Sequence, residues 1–389
     1  MAFTKFKAVL LAGVTTVGLT AVSVTGSAAT VHNAKATTVN WATVTHLTAS
    51  GETSYSALVK AAEKEGHLNV IGLPTNWANY GTIMNDFSAK FHIAITGEDP
   101  LASSAEELSA IETDAGRSDD PDVVDVGQSF AVEAAQEGLF APYRVLTWDN
   151  IPSSLKDSNG DWFSDYGGYV AIGCDSKTVK HCPTSFKQVL GTGHGYKVGI
   201  FGNPTEASAA FAAVFAAALA NGGSLNNIKP GVDYFQRLNK EGNFVPVVAD
   251  VSTVESGATN VVIGWDYLQV GSITVLHGWA KRWKINIPSD ALYAAYYAQA
   301  INKAAPDPAA ARLWEEYLYS TTGQNLWLEG AARPVELPYL VAHRLANKAV
   351  LAALPPIPRG VTSFPTLAQL TVADAVVAKW WPIEVTSGP

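Results

Sequence analysis

Cysteine is almost absent from this chain: Cys174 and Cys182 are the only two in 389 residues. Two thiols are too few for a structural zinc site, and no histidine pair stands at metal-ligand spacing; His181 alone does not make up the difference. No metal and no cofactor is expected. Catalytic signatures are missing as well. There is no G-x-S-x-G elbow, no H-E-x-x-H, no phosphate-cradling P-loop and no G-x-G-x-x-G opening a helix after a strand. The eight histidines are scattered along the chain and form no recognised catalytic signature with a neighbouring Cys, Ser or acid. No catalytic residue is assigned, and an enzyme is the less favoured class. Basic charge is scarce: the net charge is −9, which excludes the basic face that nucleic-acid recognition needs. Internal repeats are absent, and the alanines of residues 207–220 are the single compositional bias.

What is present begins at the N-terminus. Lys5 and Lys7 precede an apolar run from Ala8 to Val24, followed by the small residues Ser27-Ala28-Ala29 and Ala34-Lys35-Ala36. Positive residues, a short apolar core and a small-x-small site are the pattern of a secretory signal peptide over residues 1–29, with cleavage as late as residue 36. Gly13, Gly18 and several threonines dilute a run already short for a membrane span. No cysteine lies near the cleavage region, so a lipoprotein is not expected. Cleavage removes two lysines and no acids, taking the charge from −9 to −11. In the oxidising compartment that export implies, Cys174 and Cys182 are expected to pair.

The rest is long enough for two cores, and strands alternate with helices along it. Residues 30–54 read as a flexible lead-in. A helix over Tyr55–Lys64 stops at Gly66; strands follow at His67–Leu73, Phe91–Thr96 and Asp122–Val126, and helices at 81–90 and 106–114. This predicts an α/β protein of two lobes, each a mostly parallel sheet with helices on both faces. The first lobe is residues 55–165 and the second 166–286. Residues 287–389 return to the first lobe and add C-terminal helices. Asp307 and Pro308 predict a capped start for a late helix.

In open α/β sheets, ligands bind beyond the carboxyl ends of strands. Aromatic and polar residues stand at five such places: Trp77, Asn79 and Tyr80; Ser129 after Gln128; Asn203 before Pro204-Thr205; Trp265, Asp266 and Tyr267; and Tyr293, Tyr296 and Tyr297. Aromatic faces attract ammonium groups, and Asp266 between two aromatics offers a counter-charge, so an organic cation is favoured. Adjacent tyrosines such as Tyr296 and Tyr297 also suit ferric iron, and a helix start near Thr205 an anion.

The chain resembles the extracellular solute-binding proteins of ABC importers, in particular their spermidine/putrescine-binding branch. The likeness runs over residues 57–340. It includes Ala62-Glu63-Lys64-Glu65-Gly66-His67-Leu68-Asn69-Val70, Asp122-Val123-Val124-Asp125-Val126-Gly127, Gly138-Leu139-Phe140-Ala141-Pro142-Tyr143, Ala218-Leu219-Ala220-Asn221-Gly222-Gly223-Ser224 and Ala305-Pro306-Asp307-Pro308-Ala309-Ala310. It implies a type II periplasmic-binding fold with an interlobe ligand cleft, closing on a hinge over a small solute. It also implies a membrane permease with its ATPase as partners; a monomer is expected. Carried across by motif, the ligand contacts are Trp77, Tyr80, Ser129, Trp265, Asp266 and the Tyr293–Tyr297 segment. Tyr297 stands where polyamine receptors carry an acid.

Overall fold

A computed structural model describes residues 39–386, so the expected signal peptide lies outside the described residues. Eleven strands form one mixed sheet: β1 (His67–Ile71), β2 (Ala94–Glu98), β3 (Val123–Gly127), β4 (Phe140–Ala141), β5 (Phe163–Asp175), β6 (Val198–Ile200), β7 (Phe244–Val248), β8 (Val261–Trp265), β9 (Trp283–Asn286), β10 (Ala294–Asn302) and β11 (Arg333–Pro334). The main order is β2-β1-β3-β10-β5-β8-β6-β7.

The sheet is mixed rather than mostly parallel. β1, β2 and β3 are parallel to one another, as are β6, β7 and β8. Between these sets, β10 runs antiparallel to both β3 and β5, and β5 runs antiparallel to β8 and β9. The reason is β5 itself. Over Phe163–Tyr169 it pairs with β10 and β11, and over Val170–Asp175 it passes to β8 and β9. One strand is thus shared by two halves of the sheet, and its crossing requires reversed neighbours.

Local chemistry explains most boundaries. Helix α1 (Tyr55–Glu65) ends on Gly66 in the left-handed region, φ 75°, where only glycine sits without a Cβ penalty. Helix α2 (Tyr80–Phe91) follows the Trp77 loop, and α3 (Ser104–Thr113) opens with a capping box between Ser103 and Glu106. Helix α4 (Gln128–Glu137) starts directly at the end of β3. The alanine-rich helix Ser208–Ala220 is buried from Ala209 to Ala218, as close helix-on-sheet packing needs.

Two expectations are corrected. Residues 39–54 are not a loose lead-in: Trp41 and Leu47 are buried, and Arg312 donates to the carbonyls of Ala42 and Val44. Asp307 does not cap the helix Pro308–Leu318 with its side chain. Glu65, from the end of α1, reaches the free N–H groups of Ala309 and Ala310 instead, at 2.7–3.1 Å. A carboxylate at a helix N-terminus is favoured by the dipole whichever segment supplies it. No helix among the described residues is long and apolar enough to cross a membrane.

A last helix, Leu367–Trp381, rests on both halves. Its Asp374 faces Ser129 on α4 across a recess that both line. At the other end Trp381 packs against Phe235 and Phe244, and beyond it Glu384 pairs with Lys229 at 2.9 Å.

Candidate functional site

The two sheet halves meet around a cavity of about 480 Å³, within the range of small-ligand sites. From the first half come Gly72, Trp77, Ser104, Glu107 and Asp125; from the second come Phe201, Asn203, Ala249, Asp250 and Leu268, and Tyr297 closes the wall. Direct contacts join the halves beside it. Ser272 Oγ donates to the Asn76 carbonyl at 2.8 Å, and the Ala105 N–H donates to the Glu206 carbonyl at 3.3 Å. At Gly127 the approach is tighter, for a Cβ there would lie 2.2 Å from Ser208 Oγ. Glycine at the end of β3 is what lets the second half come this close.

The floor of the cavity is a buried polar network. Asp125 stands in the middle of the apolar strand β3, opposite Gln299 on β10. Its Oδ2 accepts from the hydroxyls of Tyr80 and Tyr166, both at 2.8 Å. Tyr166 in turn accepts from Trp77 Nε1 at 2.8 Å, so the cavity's indole is tied to the acid beneath it. Gln299 Nε2 donates to the Tyr80 hydroxyl and to Asp165 Oδ2, at 3.0 and 2.9 Å. Glu107, on α3, accepts from the Asp125 backbone N–H at 2.9 Å. Asp125 and Glu107 are 5% and 2% exposed and Asp165 is fully buried.

None of these three acids has a lysine or arginine partner among the described residues. Burial therefore pushes all three up. Asp125 rises to about 6 despite the tyrosine hydrogen bonds that favour its anion. Glu107 and Asp165 rise well above the ordinary carboxyl range, burial first and the charge of Asp125 second. Asp125 and Asp165 interact, and the negative charge of Asp125 adds to burial in holding Asp165 up.

Of the residues expected at the site, the structure brings Trp77, Asn203 and Tyr297 to the cavity wall. Rings of Trp77 and Tyr297 meet edge to face at 6.1 Å, and Tyr297 lies parallel to Tyr166 at 5.9 Å. Tyr80 and Tyr267 sit behind this wall, Tyr80 on Asp125 and Tyr267 against Trp77 and Tyr166.

The others are placed elsewhere. Asn79 stands at the N-cap position of α2 without capping it by its side chain, which donates to the Leu326 carbonyl. Trp265 and Tyr293 are core, stacked on each other and, for Tyr293, on Phe215. Ser129 faces a separate recess of about 400 Å³ between α4 and the helix Leu367–Trp381. There burial pushes Asp374 up to about 7. Tyr296 stacks on Phe364 while Tyr297 faces Trp77, so the two adjacent phenols part and do not converge on one ion.

Asp266 is the main correction. It is fully buried and does not line the cavity: Arg333 Nη1 lies 2.5 Å from its Oδ2, and Tyr169 N–H donates to its Oδ1 at 2.9 Å. Its counter-charge is already inside the protein. A Cβ at Gly168 would lie 2.5 Å from the same carboxylate, which accounts for a glycine at that point of β5. Glu107 and Asp125 are the acids the sequence reading missed. The signal for one of them was there, an aspartate inside an otherwise apolar buried strand.

The expected disulfide is present: Cys174 and Cys182 are bonded, with Cα atoms 5.6 Å apart.

The chain belongs to the bacterial extracellular solute-binding proteins, whose family model matches residues 118–357, more than half of the sequence. In fold it is similar to a periplasmic thiamin binding protein (TM-score 0.63, 17% identity, 82% of this chain and 96% of that one). It is also similar to the periplasmic binding protein AfuA from Actinobacillus pleuropneumoniae, solved with fructose-6-phosphate bound (0.61, 16%, 83% and 100%). A third likeness is to iron-bound HitA from Pseudomonas aeruginosa (0.56, 17%, 80% and 97%). The shared α/β fold is that of type II periplasmic binding proteins. By sequence, no curated protein matches.

Proposed function

We propose that this protein is the exported receptor of an ABC importer. It captures a small organic cation of the polyamine type in the cavity between its two sheet halves and passes it to a membrane permease and its ATPase. The family membership supports the receptor role. One observation supports the cation: the cavity is walled by Trp77 and Tyr297 and floored by Glu107 and Asp125, acids with no cation of their own. An ammonium group supplies the missing charge, and the aromatic faces add about 0.5–2 kcal/mol each.

The two halves act as lobes on a hinge where β5 and β10 cross. Solute touching both favours the closed form by its differential affinity, and the closed surface is what the permease reads. No step of this cycle requires a catalytic group.

The test is a thermal-shift and calorimetric panel on the mature protein with putrescine, spermidine, thiamine, fructose-6-phosphate and ferric citrate. Putrescine or spermidine should raise the melting temperature in proportion to the logarithm of its excess over Kd. Small-angle scattering should then show a more compact particle. Stabilisation by the sugar phosphate or by iron, with neither amine binding, would overturn the cation class and leave the receptor role standing.

A further inference from the structure

The acids at the cavity floor raise a question of charge balance. Elsewhere in the described residues, Asp266 is matched by Arg333 and Asp175 by Arg282, while Asp122 and Glu316, buried without a cation, face no cavity and are held by backbone and tyrosine hydrogen bonds. At the cavity the groups facing Asp125 come from four elements, and all are acidic or neutral. They are Glu107 on α3, Tyr80 on α2, Asp165 and Tyr166 on β5, and Gln299 and Tyr297 on β10. Beyond them stand Tyr267, after β8, and Glu315 on the helix Pro308–Leu318, whose two carboxyl oxygens are buried without a hydrogen-bond partner. Isolated carboxylates in such a place cost too much to keep. With no internal cation, the empty site neutralises itself with protons.

We propose that solute capture here is an exchange. An ammonium group of the ligand takes the place of a proton held by the Asp125–Asp165–Glu107 cluster, and that proton leaves to bulk solvent. One positive charge enters and one departs, so the cavity's net charge is the same empty and loaded. The proposal rests on the cation reading above and adds to it a proton stoichiometry.

Two consequences can be measured. Binding should be pH-dependent: for each proton displaced, affinity rises up to about tenfold per pH unit while the cluster is protonated, and levels off once it has ionised. Binding heats should also depend on the buffer that takes up the proton.

The experiment is calorimetric titration of the mature protein with putrescine and with spermidine, at about pH 6, in two buffers of different protonation enthalpy. The expected result is release of roughly half to one proton per ammonium bound, with affinity climbing toward about pH 7. Asp165→Asn separates this from mere scaffolding, because Asp165 does not line the cavity. A folded Asp165→Asn protein should show a flattened pH curve and release less proton per ammonium bound, and parental proton release with an unchanged curve would overturn the exchange at this cluster. Amine binding with buffer-independent heats and a flat pH curve would overturn the exchange and spare the cation reading. Absence of amine binding at every pH would overturn both. Carboxyl-carbon NMR of the unliganded protein needs no solute at all: Asp125 and Asp165 titrating in the ordinary carboxyl range would overturn the exchange alone.

Discussion

Two buried acidic sites lie on either side of the β5 crossing, and they solve the same problem in opposite ways. Asp266 has its cation built in: Arg333 sits against it, and the guanidinium also covers the Tyr169 ring at 4.9 Å. Asp125 has two acids and two phenols for company and no cation. The first arrangement is a structural tie between β8, β5 and β11. The second is unfinished chemistry facing a cavity. Burial and charge sign are the same in both; what differs is the cation beside Asp266 and the cavity that Asp125 faces without one.

The largest expected effect breaks this comparison if it fails. Asp266→Asn leaves Arg333 buried beside an uncharged amide and should cost about 3–5 kcal/mol in denaturant unfolding. Asp125→Asn, in contrast, should be neutral or stabilising at neutral pH without ligand, since it removes a charge the empty site does not want. Equal losses in the two variants would show that both acids are structural.

Next in size is the pH dependence of the unliganded protein. An aspartate titrates near 3.8 in the unfolded chain and, at position 125, near 6 in the folded one. Below the lower value both states are protonated and the group contributes nothing. As pH rises from about 4 to about 6 the unfolded chain ionises first, so folded-state stability falls, by up to roughly 3 kcal/mol. Asp125→Asn should remove this part of the slope. A melting temperature that rises through the same window, in parent and variant alike, would contradict the assignment.

The disulfide sharpens the contrast from the structural side. It closes a short loop beside Asp175, whose carboxylate is paired bidentately with Arg282 and lies below the usual range despite its burial. Replacing both cysteines with serine should cost about 2–3 kcal/mol of stability and leave the affinity for any solute unchanged. A change in affinity would mean that this edge of the second half communicates with the cavity. The smallest effect belongs to Trp77→Phe. It removes the hydrogen bond to Tyr166 while keeping an aromatic wall, so stability should fall by about 1 kcal/mol. Amine affinity should fall modestly with it, since phenylalanine is the weaker cation acceptor.

The fold was largely legible in the sequence because its markers are local. Gly66 ends α1, alternating strand and helix periods place most elements within a few residues, and two nearby cysteines pair. What failed was non-local. Parallel and antiparallel neighbours look alike in sequence, and only the crossing of β5 decides them. The N-terminus of the helix Pro308–Leu318 is capped by Glu65 from far away, which made the adjacent Asp307 look like the cap.

The site was legible in part. Strand ends pointed to Trp77, Asn203 and Tyr297, which do line the cavity. Trp265 and Tyr293 obeyed the same rule and proved to be core, since a strand end also meets the packing between layers. Asp266 looked like a free counter-charge because Arg333 is 67 residues away. Glu107 was hidden in a helix with an ordinary polar surface.

The helix Leu367–Trp381 lies beyond the stretch matched by the family model, which ends at residue 357. It packs on α4 beside Asp374 and on the helix Lys229–Lys240 through Trp381. In mechanical terms it is a spring mounted across a joint. If the halves rotate apart to admit solute, it must bend, slide or release one anchor, and its stiffness enters the opening rate directly. A tag or fusion at the C-terminus would load that spring.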